Sequence, residues 1–221
     1  MAYIWLSYPL SISAPRPPAI PAPSIEEYMS IEKDGANVQR LSCYNHTGTH
    51  LDTAAHVICG GISINAFLPM DLVYHDVRTA VLELGDDTVV RKEHIIPLAN
   101  SIAGAQAVIF KFGVHEIRKM QPERFSKHCP GFSDEAAEEI FRLTPDLKMI
   151  GTDVPSIACI SHLDETMTVH NTFFNKASCE KFIIIEEMKL DVDLSGIESI
   201  IVSPWLVEGM NSGPCVIWAE K

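Results

Sequence analysis

The segment His46-Thr47-Gly48-Thr49-His50-Leu51-Asp52-Thr53-Ala54-Ala55-His56 carries three histidines and one aspartate within eleven residues. All four side chains occupy even positions, so an extended backbone would place them on one face. A helix would align His46 with His50 but direct Asp52 elsewhere, and Thr-Gly-Thr is poor helix-forming sequence. The segment therefore predicts extended or looped backbone.

The same four side chains predict a metal site. An isolated histidine is more often a hydrogen-bonded structural residue than a ligand. Three histidines that share one face with an aspartate are hard to explain in that way. Imidazole nitrogen and carboxylate oxygen suit zinc, manganese or iron, and the segment supplies no thiolate for copper(I).

Short apolar runs on both sides of this segment predict the sheet that surrounds it. Residues 105–112 are typical of a central strand that ends at Gly113, and residues 76–84 are typical of a buried strand that ends at a turn. Further strands are expected at 3–10, 148–153, 181–187, 199–202 and 215–219. With the strand expected in the metal-site segment, this makes seven or eight strands.

Helical signals lie between some of these strands. Ser133 is a candidate N-cap for a helix over residues 133–143, residues 91–100 predict a short helix broken by Pro97, and residues 170–177 predict a helical turn. Because strands outnumber helices and alternate with them in places, the predicted fold class is α/β or α+β around a mixed β-sheet with flanking helices. We expect a single domain over residues 1–221.

Five prolines fall within nine positions of the segment that precedes the metal-site segment. They are Pro15, Pro17, Pro18, Pro21 and Pro23. A flexible linker is one interpretation, but only a dozen residues precede this stretch, too few for a domain. The sequence therefore favours a semi-rigid surface loop that lies over the site.

Composition excludes several classes of protein. The chain has 221 residues, of which 47% are hydrophobic and 21% charged, as in a globular domain. The formal net charge of -12 argues against nucleic acid as a partner, since phosphates would be repelled. The apolar runs are far shorter than the ~18 residues that a membrane-spanning helix needs. We therefore expect a small-molecule substrate and no membrane.

The cysteine pattern predicts a reducing compartment. The six cysteines are scattered without a C-x-x-C pair, and a chain of this size needs no disulfide framework. The start of the chain has no basic region followed by a long apolar run, so it is not typical of a signal peptide. A cytoplasmic location is expected.

Candidate residues that would complete the site lie later in the chain. Glu186 and Glu187 follow a buried strand, and strand ends commonly present functional residues, but periodicity alone does not choose between the two. His162 and His170 are both candidates for a distant imidazole.

From His46 to His56 the sequence resembles the metal-dependent cyclase-like hydrolase family, which includes bacterial kynurenine formamidases and isatin hydrolases. The family signature is H-x-G-T-H-x-D-x-P-x-H, and this chain departs from it with Ala54 in place of proline. Other segments are similar to the family's D-L-S-x-P-L, P-G-L-S-x-E-A-A, G-I-D-T-x-S, I-I-E-N-L and G-x-x-G-S-P-x-R patterns. They lie at 5–10, 130–138, 151–156, 184–188 and 209–218, and Val216 replaces the last arginine.

The resemblance implies a ligand set. His46, His50 and Asp52 would hold a first ion, and a second would be completed by His56, His170 and Glu186, with one carboxylate shared. The implied cofactors are one or two Zn²⁺ or Mn²⁺ ions per chain. The implied fold is the swivelling β/β/α architecture, assembled as a homodimer or homotetramer.

The expected reaction is hydrolysis of an amide, formamide or lactam carbon–nitrogen bond, as in arylformamidases that convert N-formylkynurenine to kynurenine and formate. Asp52 or Glu186 would orient the attacking water, and His56 would carry a proton to the leaving nitrogen if it is not a ligand. An alternative is a biosynthetic cyclase or lyase that uses the same metal as a Lewis acid. A third possibility is a non-catalytic protein that keeps the ligands for stability.

Overall fold

A mixed β-sheet of nine strands organises the fold in the computed structural model, which describes residues 2–17 and 19–221. The strands of this described part are β1 (Tyr3–Trp5), β2 (Ser24–Met29), β3 (Val38–Ser42), β4 (His50–Asp52), β5 (Val73–Tyr74), β6 (Val77–Val81), β7 (Val89–Val90), β8 (Ala107–Lys111), β9 (Gly131–Phe132), β10 (Met149–Thr152), β11 (Ile183–Glu186), β12 (Ser199–Pro204) and β13 (Ser212–Glu220).

The helices are short, and most of them follow the strands of the second half of the chain. They are α1 (Ile31–Asp34), α2 (Lys92–Ile95), α3 (Ala99–Ile102), α4 (His115–Met120), α5 (Pro122–His128), α6 (Asp134–Leu143), α7 (Leu163–Thr166) and α8 (Val169–Lys176). Single 3-10 turns cover Ala54–His56, Ile64–Ala66, Pro69–Leu72, Ile96–Leu98 and Ile160–His162. Within the described part of the chain, no helix has the length and apolar character that crossing a membrane requires.

The large sheet has a parallel half and an antiparallel half that meet at β4. Its order is β5-β12-β13-β4-β11-β10-β8-β6, and β1 pairs with β13. Strands β11, β10, β8 and β6 are parallel to one another, whereas β4 is antiparallel to both of its neighbours, β11 and β13. With helices flanking this mixed sheet, the α/β fold-class prediction is confirmed.

Each face of the sheet is covered by its own hydrophobic core. On the face covered by α6 and α8, Phe110, Phe173 and Ile184 are completely buried. On the opposite face, Ile185 and Ile217 are completely buried. Because each such side chain contributes about 1.5–3 kcal/mol when it is removed from water, the two cores together hold the sheet in place between them.

The predicted helix over residues 133–143 is confirmed together with its cap. The Ser133 hydroxyl accepts a hydrogen bond from the Ala136 backbone N–H at 3.3 Å, and α6 begins at Asp134. A serine N-cap is worth about 1 kcal/mol because it satisfies one of the free N–H groups of the first turn. The break near Pro97 is confirmed as well, since α2 and α3 are separated there by a 3-10 turn.

Three expectations about strands were wrong. The first strand ends at Trp5 rather than near Pro9. Residues 76–84, expected to be a buried strand, form the edge strand β6, in which Val81 is 53% exposed. The described residues contain thirteen strands rather than seven or eight, because two-residue strands such as β5 leave no periodic signal.

The hairpin of β2 and β3 was not predicted. Its two strands pair only with each other, and none of their residues is buried. Side chains of Ile25, Tyr28 and Leu41 are at least 42% exposed, so the hairpin offers apolar surface to its surroundings.

Candidate metal centre

Three of the predicted ligands lie on two neighbouring strands in the middle of the sheet. His50 and Asp52 are two apart on β4, so both face the same side, and Glu186 on β11 stands directly opposite His50 in the antiparallel register. Because strands flank β4 on both sides, these three side chains are only 2%, 0% and 3% exposed. The sheet therefore buries three ionisable groups side by side.

The three remaining histidines reach this cluster from outside the sheet. His46 lies in the turn before β4, His56 ends the 3-10 turn after it, and His170 projects from α8. The prediction of extended or looped backbone is therefore confirmed: His50 and Asp52 lie on a strand, and turns on either side of it carry His46 and His56. Gly48, with φ of 66°, redirects the chain between His46 and His50, so a loop rather than a strand brings the rings together.

All six predicted metal ligands converge on one point. Asp52 Oδ1 lies 3.2 Å from His46 Nδ1, and the Glu186 carboxylate lies 3.1 Å from His50 Nε2 and 3.2 Å from His170 Nε2. The His56 ring lies 4.5 Å from the His46 ring and 5.4 Å from the His170 ring, measured between centroids.

Two groups of three residues within this cluster have the spacing of a metal site. One consists of His46, Asp52 and His56, and the other of His50, Asp52 and Glu186, with the donor atoms of each group within 4.8 Å of one another. Asp52 belongs to both groups. A carboxylate has two oxygens, so one aspartate at this position is suited to bridge two ions.

Unsatisfied polar atoms test whether the site fits a metal. Within the described part of the chain, Asp52 Oδ1, Asp52 Oδ2 and His50 Nε2 are buried without a hydrogen-bond partner. Asp52 Oδ1 is close to His46 Nδ1, and His50 Nε2 is close to the Glu186 carboxylate, but neither contact has the geometry of a hydrogen bond. Burying a carboxylate without partners is costly, and such groups are rare in native proteins unless an ion or water satisfies them. Because the donors are imidazole and carboxylate, these residues fit a divalent cation such as zinc or manganese.

Hydrogen bonds around the cluster fix the orientation of the ligands. His50 Nδ1 lies 2.9 Å from the Gly48 carbonyl oxygen, which acts as acceptor and leaves Nε2 to face the cluster. His46 Nε2 lies 3.1 Å from the Ser212 hydroxyl, so Nδ1 faces Asp52. Sequence reasoning missed Ser212, although it lies within the family-like segment 209–218 and pairs with Asp52 in the β13–β4 register.

The charges of the cluster are set by mutual interaction. Burial disfavours ionisation of Glu186, but a hydrogen bond with His170 and the opposite charge of His170 and His50 outweigh it and hold the pKa of this carboxyl well below its usual range. Burial also opposes charge on His50, yet Glu186 and Asp52 raise its pKa to about 9. For His56, burial dominates and lowers the pKa, so this imidazole is neutral at neutral pH.

A cavity of about 160 Å³ opens above the cluster. Besides five of the six predicted ligands, it is lined by Pro17 and Ile20 from the proline-rich segment and by Pro155 and Ser156 from the loop after β10. The prediction that the proline-rich loop lies over the site is confirmed for these residues, and Pro18 lies outside the described residues. His162, the other candidate imidazole, does not line this cavity.

The choice between the two glutamates is resolved. Glu186 faces the cluster, whereas the carboxylate of Glu187 accepts a hydrogen bond from Arg118 Nε at 2.9 Å. Glu187 also has a positive φ of 55°. For a residue other than glycine this conformation costs on the order of 1–3 kcal/mol, so surrounding contacts must hold it.

The sequence comparisons agree with this geometry. The family model named Cyclase matches residues 4–158. Cyclase-like protein 1 of Oryza sativa subsp. japonica is 26% identical over 187 residues, a match that covers 82% of this chain and 64% of the rice protein. The chain thus matches just under two thirds of the length of this plant relative.

Solved structures share the fold over nearly the whole chain. Isatin hydrolase A from Labrenzia aggregata, bound to benzyl benzoate, superimposes with a TM-score of 0.82 at 17% identity, covering 99% of this chain and 93% of that protein. A protein from Bacillus stearothermophilus described as a predicted metal-dependent hydrolase gives a TM-score of 0.74 at 20% identity, and the match covers 99% of this chain and 97% of that protein. The architecture is therefore that of isatin hydrolase.

Proposed function

This chain belongs to the cyclase family, and from that premise we propose that it is a metal-dependent hydrolase of an amide, formamide or lactam carbon–nitrogen bond, with arylformamidase-like activity. The observation that carries the proposal is Asp52, a fully buried carboxylate without hydrogen bonds that is shared by two groups of metal-ligand type. The names of the structural relatives, isatin hydrolase and metal-dependent hydrolase, support the same class of reaction.

We propose two Zn²⁺ or Mn²⁺ ions per chain, one held by His46, Asp52 and His56 and the other by His50, Asp52 and Glu186. His170 lies 3.2 Å from Glu186 and completes the second group. Such ions polarise a substrate carbonyl and lower the pKa of a bound water towards neutrality.

The chain's own residues orient the reactants. Asp52 and Glu186 carry negative charge at neutral pH, so either carboxylate can orient the attacking water by accepting a hydrogen bond from it. If an ion does not occupy its ring nitrogen, the partly buried, neutral imidazole of His56 is suited to carry a proton towards the leaving nitrogen. Pro17 and Ile20 of the proline-rich segment supply apolar surface to the wall of the cavity.

The cavity favours a small reacting group. A volume of about 160 Å³ is well below the ~300–1,000 Å³ of pockets that enclose drug-sized ligands. It admits a formyl group or the amide edge of a lactam, while the rest of an aromatic substrate would lie against the proline-rich loop.

Elemental analysis followed by an assay tests this proposal. Protein purified without chelator should hold stoichiometric metal and should hydrolyse N-formylkynurenine or isatin, and removal of the metal should abolish turnover. Absence of metal from such a preparation would refute the metal site. Metal without turnover of either substrate would favour the cyclase or lyase chemistry that the family name suggests.

We also propose that the chain assembles with a second copy through the β2–β3 hairpin. An isolated two-stranded hairpin is marginally stable in water, and this one exposes Ile25, Tyr28 and Leu41. The double variant Ile25→Glu/Leu41→Glu changes two residues that face each other across the hairpin. It should convert a dimer or tetramer to a monomer in light scattering after gel filtration, and an unchanged mass would count against this interface.

A reducing compartment such as the cytoplasm is the proposed location. All six cysteines are free thiols, as the sequence predicted, and Cys129, Cys159 and Cys215 are buried. Free thiols are typical of proteins from reducing compartments.

A further inference from the structure

We infer that Arg118 is a positioning residue for the metal centre: it holds Glu187 in a left-handed backbone conformation and so fixes the direction in which the neighbouring Glu186 carboxylate points. This inference rests on the metal site of the proposed function. It concerns two residues, Arg118 and Glu187, that do not line the metal cavity.

Glu187 has an unusual backbone for a glutamate. Within the described part of the chain, only Asp87 and Glu187 are non-glycine residues with positive φ, at 57° and 55°. The left-handed region is unfavourable for residues with a Cβ atom, and aspartate and asparagine tolerate it better than glutamate does. Asp87 is in addition partly exposed, whereas Glu187 is 2% exposed. The conformation of Glu187 must therefore be imposed by its neighbours.

Three sets of contacts hold Glu187. Its backbone N–H donates to the Val154 carbonyl oxygen at 2.8 Å, and its carbonyl oxygen accepts from the Thr49 hydroxyl at 2.7 Å. Its carboxylate accepts hydrogen bonds from Arg118 Nε at 2.9 Å and from Arg118 Nη2 at 2.5 Å. The guanidinium itself lies 3.6 Å from the centre of the Tyr8 ring, a stacking contact that keeps it in place.

These contacts connect directly to the metal ligands. Glu186 is the last residue of β11, so its side-chain direction depends on the backbone that follows. Thr49, which binds the Glu187 carbonyl, precedes His50 in the chain. With Glu187 held on one side, Glu186 is directed to the other, where its Oε1 accepts a hydrogen bond from the Ile157 N–H at 2.6 Å and its Oε2 lies 3.1 Å from His50 Nε2.

Glu187 stands where the similar family pattern has asparagine, and this difference explains the need for Arg118. Residues 184–188 resemble the pattern I-I-E-N-L, in which asparagine occupies the position of Glu187. Asparagine adopts the left-handed region readily and carries no charge. Glutamate at this position adds both a conformational cost and a buried anion, and Arg118, itself 14% exposed, supplies the opposite charge.

The test compares Arg118→Ala with Arg142→Ala. Arg142 also pairs with a buried carboxylate, that of Glu139, which is 3% exposed, but neither residue lines the metal cavity. Each variant is loaded with zinc, and its affinity is measured by competition with a chromophoric chelator, alongside its thermal unfolding. Both variants should lose stability. Only Arg118→Ala should lose zinc affinity, by about 10–100-fold, as when partners that orient metal ligands are removed.

A second pair of variants separates positioning from general damage. Adding Glu187→Asn to Arg118→Ala removes the unpaired charge and supplies a residue that adopts the backbone conformation, so zinc affinity should return towards that of the wild type. Arg118→Lys keeps the charge without the forked contact and should give an intermediate affinity; it replaces Arg118→Ala if that variant does not fold.

Two results would overturn the inference. The first is wild-type zinc affinity in folded Arg118→Ala, or in Arg118→Lys if Arg118→Ala does not fold. The second is a failure of the added Glu187→Asn substitution to restore zinc affinity. If the wild-type protein itself bound no zinc, the metal site of the proposed function would fail instead.

Discussion

Asp52 and Asp153 are both buried aspartates of the same sheet, yet their surroundings differ completely. Asp52 is 0% exposed and neither of its oxygens has a hydrogen-bond partner. Asp153 is 4% exposed, and its carboxylate accepts hydrogen bonds from the backbone N–H groups of Phe112, Gly113 and Val114 at 2.8, 2.9 and 3.3 Å. Two aspartates that are equally buried therefore differ in whether the fold satisfies their carboxylate oxygens.

The difference reflects what each residue connects. Asp153 follows β10 and binds the backbone just after β8, so it joins the ends of two parallel neighbours. Asp52 faces four histidine side chains instead, with His46 Nδ1 at 3.2 Å and His170 Nε2 at 3.8 Å. Asp153 therefore joins two strand ends, whereas Asp52 is the candidate ligand of the proposed metal centre.

Replacing Asp52 tests the functional half of this comparison and should have the largest effect. Asp52→Ala removes the carboxylate common to both metal groups, so metal retention should be abolished. Activity should fall by more than the ~10–100-fold expected for loss of a residue that only orients a ligand. Elemental analysis and turnover measure both. Stoichiometric metal in this variant would contradict the proposal that Asp52, unlike Asp153, is a metal ligand.

Replacing Asp153 should affect stability instead. Asp153→Ala leaves the buried N–H groups of Phe112 and Val114, and the N–H of the exposed Gly113, without their acceptor. We expect the free energy of unfolding to fall by about 2–4 kcal/mol. Urea denaturation measures the loss, and the folded fraction should still retain metal. If metal were lost while stability stayed unchanged, Asp153 would belong to the site.

The pH dependence of metal binding sharpens the contrast further. In the metal-free protein, burial opposes charge on His50 but Glu186 and Asp52 raise its pKa to about 9, so below that pH an incoming ion must displace a proton. Metal affinity should therefore rise with pH, by about tenfold per unit for each displaced proton, and fall in acid. Titration of zinc against a chelator from neutral to alkaline pH measures the slope. A pH-independent affinity would contradict this arrangement of charges.

Cys59 provides the smallest expected effect. It lies three residues after His56, but it is an exposed free thiol, and it does not line the metal cavity. Cys59→Ala should change activity and stability by less than about 0.5 kcal/mol, as most surface substitutions do. A larger loss of turnover would mean that the loop after His56, rather than its ligands, controls the reaction.

Periodicity and capping were enough to predict much of the fold. The central strand β8, the helix α6 with its Ser133 cap and the break near Pro97 were predicted because each depends on local sequence. The edge position of β6 and the exposed β2–β3 hairpin were not, since strand order and partners are set by contacts between distant segments.

The candidate site divides in the same way. The four candidate ligands between His46 and His56 were predicted from spacing. Glu186 was a candidate from its place at a strand end and His170 as a distant imidazole, and the resemblance then favoured both. Spacing could not choose Glu186 over Glu187, because consecutive strand residues both satisfy an alternating pattern. Nor could it find Ser212, which contacts His46, or Arg118, which contacts Glu187, because pairing and packing of distant segments create both contacts.

Strand β4 has only three residues, yet it joins the two halves of the sheet. Asp52 pairs with Ile184 on one side and with Ser212 on the other, so this strand is enclosed by segments from the far end of the chain. Bringing segments so far apart in the sequence together has an entropic cost. His50, Asp52 and Glu186 come together only when the chain has folded against that cost. An ion bound by His50, Asp52 and Glu186 would link β4 to β11. Amide hydrogens of β4 should therefore exchange with solvent more slowly in the metal-loaded protein than in the metal-free one.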